Sequence, residues 1–348
     1  MDSADLLAAP TRPSGVPTAR AVDHYAFTVT DLPRAVAFCT EVLGGELCYE
    51  EGPIVHPDSD WMARKLGVHP RARTRVALVR LHDANLELFG YDTPDQVRVP
   101  PPPGVTGNAY LALAVADLPA ALTALDTVPQ ARVETTTVDP VGGTRIAWCR
   151  TDLGLWLQLR QGDDPPARGR YRPRPRPAGG TAPAVAGIQG VEHFGRAVAD
   201  LPAAVTFFVD VLGAEPITAG QPAPGRGAAS PTVALRLGPT ANLELVAGSP
   251  APPQTPRNSD IGGHHLAIYV DDVDVAASAL AGVPGVVVMG EPETITSGPL
   301  VGDRWVYFRT PIGLQMELVN MPDGRLPYEA TTTARRATPG AHRWHDRP

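Results

Sequence analysis

The stretch HLAIYVDDVDVAASAL, residues 265–280, decides how this chain is read. It opens as a strand rich in β-formers, reaches Asp272 seven positions after His265, and continues as a helix. Three other stretches share the pattern: HYAFTVTDLPRAVAFCTEVLG from His24, YLALAVADLPAALTAL from Tyr110, and HFGRAVADLPAAVTFFVDVLG from His193. Each strand ends in the equivalent aspartate: Asp31, Asp117, Asp200 or Asp272. In three copies Leu-Pro follows. An aspartate side chain can accept the orphan N–H groups of a first helical turn, and proline tolerates that turn because it has no N–H to lose. Apolar residues such as Val36, Phe38 and Val42 then form one buried helical face. Copies one and three close at Leu43-Gly44 and Leu212-Gly213, where glycine can take the left-handed cap.

Working outward, three shorter strand candidates follow each helix. The last repeats as NLELF (85–89), GLWLQL (154–159), NLELV (242–246) and GLQMEL (313–318). Alignment puts Glu87, Gln158, Glu244 and Glu317 at one position. The preceding strands of copies two and four also match, as RIAWCRTDLG (145–154) and RWVYFRTPIG (304–313). The chain is thus an α+β protein of four βαβββ modules. The segment 161–186, rich in Pro, Arg and Gly, reads as an extended linker, and residues 1–20 and 324–348 read as flexible ends. Domains are expected at 21–160 (modules one and two) and 187–323 (modules three and four).

Composition narrows the function classes. With 30 basic and 37 acidic residues the net charge is −7, which argues against a nucleic-acid surface. No apolar run approaches the roughly 20 residues of a membrane span, and the N-terminus lacks the basic start and long apolar stretch of a signal peptide. Cys39, Cys48 and Cys149 are widely spaced and read as buried free thiols in a reducing cytoplasm. The expected partner is a small-molecule substrate, with no nucleic acid or membrane and with homodimer formation left open.

The chemistry-bearing positions are the first residue of the first strand and the polar residue of the last. They give His24 with Glu87, Tyr110 with Gln158, His193 with Glu244, and His265 with Glu317. Imidazole and carboxylate are ligands for Fe, Mn, Co, Ni or Zn. Each His could be structural, but recurrence in three copies with a matching Glu favours a divalent-metal site. His264 points to the opposite sheet face by strand alternation and reads as a bystander. Tyr110 and Gln158 are poor ligands and read as vestigial packing.

With these motifs, and with YFRTPIGLQME at 307–317, the sequence resembles the vicinal oxygen chelate superfamily, which includes glyoxalase I, bleomycin-resistance-like proteins and type I extradiol dioxygenases. The resemblance implies two eight-stranded cups of paired modules, one with a complete metal site and one with a degenerate site. Neighbour pairing, as in extradiol dioxygenases, gives a metal site of His193, Glu244, His265 and Glu317. Crossed pairing, as in fused glyoxalases, gives His24 and Glu87 in place of His193 and Glu244. The clean separation of the halves by the linker favours neighbour pairing. Four protein ligands suit lyase or isomerase chemistry, in which the metal chelates substrate oxygens and Glu244 or Glu317 moves a proton as catalytic base. An Fe(II) dioxygenase is the alternative, because VYFRTPIG (306–313) before Glu317 fits the end of the extradiol signature. The histidine that signature expects is missing from SGPLVGD (297–303). A third reading is a binding or resistance protein that sequesters a small compound.

Overall fold

The computed structural model describes residues 15–138, 143–162, 170–175, 182–217, 230–249 and 255–346. Module one runs β1 (Ala19–Thr28), α1 (Leu32–Ala37), β2 (Glu46–Ile54), an inserted α2 (Trp61–Leu66), β3 (Arg73–Leu81) and β4 (Ala84–Asp92). Module two comprises β5 (Ala109–Val115), α3 (Leu118–Leu125), β6 (Ala131–Val138), β7 (Arg145–Thr151) and β8 (Trp156–Gln161). Module three has β9 (Ile188–Val198), α4 (Leu201–Thr206), β10 (Glu215–Pro216), β11 (Thr232–Leu237) and β12 (Ala241–Ala247). Module four has β13 (His264–Val270), α5 (Val273–Ala281), β14 (Val287–Val288), β15 (Glu293–Thr294), β16 (Arg304–Arg309) and β17 (Gln315–Asn320).

The repeated aspartates cap as their position dictates. Asp31, Asp117, Asp200 and Asp272 each accept the N–H three residues on, at 2.9–3.1 Å. In copies one and three the helix runs into a π turn, Phe38–Val42 and Phe207–Val211, and Gly44 and Gly213 then take φ of +79° and +69°.

Strand pairing corrects the expected domain organisation. One sheet runs β14-β16-β17-β13-β1-β4-β3-β2, with β15 added beside β16, so it joins modules four and one. The other runs β10-β11-β12-β9-β5-β8-β7-β6 and joins modules three and two. Each cup therefore takes one module from either side of the linker, rather than two neighbours. One close approach is specific to the second cup. Tyr110 of β5 lies opposite Gly195 of β9, and a Cβ on Gly195 would come within 1.9 Å of the tyrosine ring. The matching position of module one is Ala26, paired with His265. Module two set against module one would instead bring Tyr110 opposite that alanine.

The convex backs of the two sheets share the main hydrophobic core with the helices, and Tyr25 of β1 stacks on Phe194 of β9 at 5.9 Å between ring centres. A second apolar cluster lines the concave face of the first cup. Among the described residues no helix is long and apolar enough to cross a membrane.

The tail expected to be flexible is packed from Leu326 to Trp344, with Leu326, Glu329, Arg336 and Trp344 all buried. Its neighbours supply the reason. The Asn85 side chain donates to Ala337 O and accepts from Ala337 N, both at 2.8 Å. The linker does the same in the other cup: Asn242, the repeat equivalent of Asn85, brackets the backbone of Tyr171 at 2.8–2.9 Å. The remainder of the linker reading, at 163–169 and 176–181, lies outside the described residues, as does the N-terminal segment before residue 15.

Candidate metal centre

The four aligned positions fall on one register. Glu87, Gln158, Glu244 and Glu317 pair in parallel with Ala26, Ala112, Gly195 and Ala267, each two residues beyond the ligand position of its first strand. Strand alternation then turns the first-strand residue and the last-strand residue to the same concave face. The central antiparallel pair of each cup brings two such sets together.

In the first cup the sets are His24 with Glu87 and His265 with Glu317, and one ligand atom from each lies within 4.8 Å of the other three. His24 Nε2 stands 3.2 Å from Glu87 Oε2, 3.2 Å from Glu317 Oε2 and 3.4 Å from His265 Nε2. His265 Nε2 is 3.2 Å from Glu317 Oε2. All four side chains are buried. The outer nitrogens are fixed: His24 Nδ1–H donates to Asp23 Oδ2 and His265 Nδ1–H to Asn258 Oδ1, each at 2.9 Å. That leaves both Nε2 atoms as lone-pair donors facing two carboxylates, and Glu317 Oε2 has no hydrogen-bond partner. Four acceptors in a buried space need a shared cation. Without a metal a proton on His24 serves: burial pushes its pKa down, but Glu87, Asp23 and Glu317 overrule this and raise it well above the ordinary value. Burial likewise raises Glu317, yet the two histidines hold it below the usual carboxylate range. The donor set of two imidazoles and two carboxylates, with a carboxylate and an amide holding the far nitrogens of the imidazoles, fits a first-row divalent ion.

Around this centre the cup encloses about 400 Å³. Tyr49, Trp61, Phe89, Trp305 and Tyr307 supply apolar walls, and the mouth carries polar side chains including Glu51, Glu293 and Ser297. The Tyr49 hydroxyl donates to Glu87 Oε1 at 3.0 Å, so one glutamate is tethered where the other is not. Asp303 also lines the space, buried, with Oδ1 unpartnered. Burial and then the Glu317 charge push its carboxyl well above the ordinary range.

The sequence-derived ligands divide between the two cups. His265 and Glu317 belong to the complete set. His193 and Glu244 do not join them, because β13 pairs with β1 and not with β9. They sit in the second cup with Tyr110 and Gln158, where His193 Nε2 is 3.5 Å from Glu244 Oε1. The Tyr110 hydroxyl donates to that same oxygen, and its ring occupies the position that His265 has in the first cup. Gln158 Oε1 accepts from Arg160 at 3.1 Å. His264 faces the back of the sheet, donating to Gly262 O at 2.9 Å.

Two supporting residues escaped the sequence reading. Asp23 is ion-paired to Arg336 of the tail at 2.9 Å, both fully buried. In the second cup Glu192, beside His193, pairs with Arg170 of the linker in the same way. The signal was present as VDHYAF and VEHFGR, an acidic residue directly before the histidine in both copies.

Comparison with known proteins agrees with this fold. The model of the Glyoxalase/Bleomycin resistance protein/Dioxygenase superfamily matches residues 21–159 and 190–318. A 2-epi-5-epi-valiolone epimerase from Actinomyces sp is 48% identical over 179 residues, covering 48% of this chain and 97% of that protein. Glyoxalase I from Zea mays shares the fold at a TM-score of 0.57 and 17% identity, covering 86% of this chain and 92% of its own. A putative dioxygenase from Bacillus subtilis subsp. subtilis str. 168 does so at 0.57 and 13%, covering 88% and 86% respectively.

Proposed function

The chain belongs to the Glyoxalase/Bleomycin resistance protein/Dioxygenase superfamily, and from that premise we propose that it is a divalent-metal-dependent epimerase of a hydroxylated ketone, of the 2-epi-5-epi-valiolone type. The observation that carries this is the convergence of His24, Glu87, His265 and Glu317 on one buried point that needs a cation, read with the epimerase relative. A divalent ion held by those four residues would supply Lewis-acid polarisation of a substrate carbonyl oxygen, which acidifies the adjacent C–H.

The chain's own groups do the rest. Inverting a carbon next to a ketone requires a proton to leave from one face and another to arrive on the opposite face. Glu87 and Glu317 come from the two different modules, at equivalent positions on either side of the β1–β13 pair, which suits such a division of labour. Glu317 has the unpartnered oxygen and serves as base; Tyr49 holds Glu87 in place. Asp303 and the polar side chains of the mouth suit substrate hydroxyls, while the aromatic walls exclude bulk water.

The test is incubation of the purified, metal-analysed protein with 2-epi-5-epi-valiolone in D₂O, followed by NMR. Epimerisation with one deuterium entering at the inverted carbon supports the reading. Epimerisation lost in Glu317→Gln and retained in Glu244→Gln supports the site assignment. No exchange and no epimer, with metal bound, refutes the proposed activity for this substrate. Oxygen consumption with a catechol would move the dioxygenase reading ahead, although Asp303 stands in the segment where that chemistry expects a histidine.

A further inference from the structure

Behind the metal centre, between the two cups, lies a second cavity of about 350 Å³. Arg196, Arg257, Arg309, His264, Asn258 and Gln315 contribute to its lining, and no carboxylate is among its described lining residues. Arg257 is already neutralised by Asp95 and Asp260. Arg196 is not. It projects from the back of β9, is 2% exposed, and its Nε and Nη1 have no hydrogen-bond partner. Burial alone lowers its pKa to about 10, still above neutrality, so the guanidinium stays charged. Arg309, at the end of β16, is exposed and lines the same cavity. A protein of net charge −7 therefore keeps an unpaired buried arginine and a second arginine around one space.

An isolated buried guanidinium is costly, and it becomes tolerable only when an anion satisfies its planar donors. We propose that this cavity is an anion-binding site between the cups, built for a phosphate-type oxyanion, free or as the terminal group of a larger metabolite. Arg196 supplies a buried guanidinium with unpartnered donors and Arg309 the second charge at the entrance, a pair of cations that suits an oxyanion. The space exceeds what inorganic phosphate fills, so an organic phosphate is accommodated as well. Asn258 lines the cavity and also holds His265 Nδ1, which places the anion one side chain from a metal ligand.

The experiment is calorimetric titration, with thermal melting in parallel, of the intact metal-loaded protein at low ionic strength with inorganic phosphate and with ADP. The expected result is saturable binding with a concentration-dependent rise in Tm. Arg309→Ala, an exposed and structurally mild change, should weaken affinity about tenfold or more, as loss of a charged hydrogen-bond partner does. Arg196→Met should abolish binding, and without ligand it should melt no lower than the parent, because it removes an uncompensated charge. Tighter binding of ADP supports an organic phosphate as the ligand; equal binding supports the free anion. Binding that persists unchanged in both variants belongs to the metal centre and overturns the proposal, as does the absence of any binding by the parent.

Discussion

The Nε2 atoms of His24 and His265 stand 3.4 Å apart across 241 residues of chain. Both outer nitrogens are already committed as donors, so the contact sets lone pair against lone pair until a cation enters. On the proposed function, the metal therefore belongs in the first cup. Elemental analysis should find about one divalent ion per chain in the parent and in His193→Ala, and essentially none in His24→Ala or His265→Ala. Metal lost on replacing His193 and kept on replacing His24 would reverse the assignment of cups.

Arg336 is the tail's contribution to that centre. It pairs with Asp23, which in turn orients His24, and all three are buried. Replacing Arg336 with Leu strands a buried carboxylate, an effect of about 3–5 kcal/mol on stability. It also loosens the imidazole, and losing the partner that orients a metal-binding histidine costs roughly 10–100-fold in metal affinity. Urea denaturation and a competitive metal titration measure the two effects. A variant as stable and as metal-avid as the parent would show that the tail packs without supporting the site.

The second cup should show its own pH dependence. Burial lowers His193, but Glu192 and Glu244 overrule it and raise its pKa above the ordinary value near 6.5. Stability from this group is fully present below pH 6.5 and is lost as pH rises through the raised folded value. Glu244 goes the other way. Burial raises it, yet His193 and its hydrogen bonds hold it at about 2. Its contribution is present above the ordinary carboxylate value and disappears as pH falls from there toward 2. Denaturant midpoints followed against pH should therefore decline on both sides for the parent, with the alkaline decline shallower in His193→Gln, where only the His24 contribution remains. An alkaline limb identical in both proteins would mean that His193 is neutral in the folded state.

Much of this fold was legible because its determinants are local. The Asp31, Asp117, Asp200 and Asp272 caps and the closing Gly44 and Gly213 depend on residues within one turn, and the ligand register follows from strand alternation. Which modules share a cup is a long-range matter that linker composition does not govern. One determinant to test is a single pair, Tyr110 facing Gly195, which shows itself only when the two strands are set side by side. Arg336 was hidden for a different reason. One buried arginine in a Thr- and Pro-rich tail has no periodicity, and its partner Asp23 lies 313 residues away.

That pair also provides the sharpest test of why modules two and three associate. A Cβ at position 195 would meet Tyr110 Cζ at 1.9 Å and two further ring atoms at 2.3 Å. The ring cannot retreat easily, since Trp148 packs edge-on at 4.6 Å and the hydroxyl is bound to Glu244. Gly195→Ala should therefore destabilise the protein by about 1–3 kcal/mol or more, the range for forced overpacking in a core. Tyr110→Ala removes the ring and should absorb most of that effect in the double variant, giving a coupling energy of at least about 1 kcal/mol in a double-mutant cycle. Strict additivity of the two changes would mean that the clash is relieved elsewhere, and that the glycine has no part in selecting the partner module.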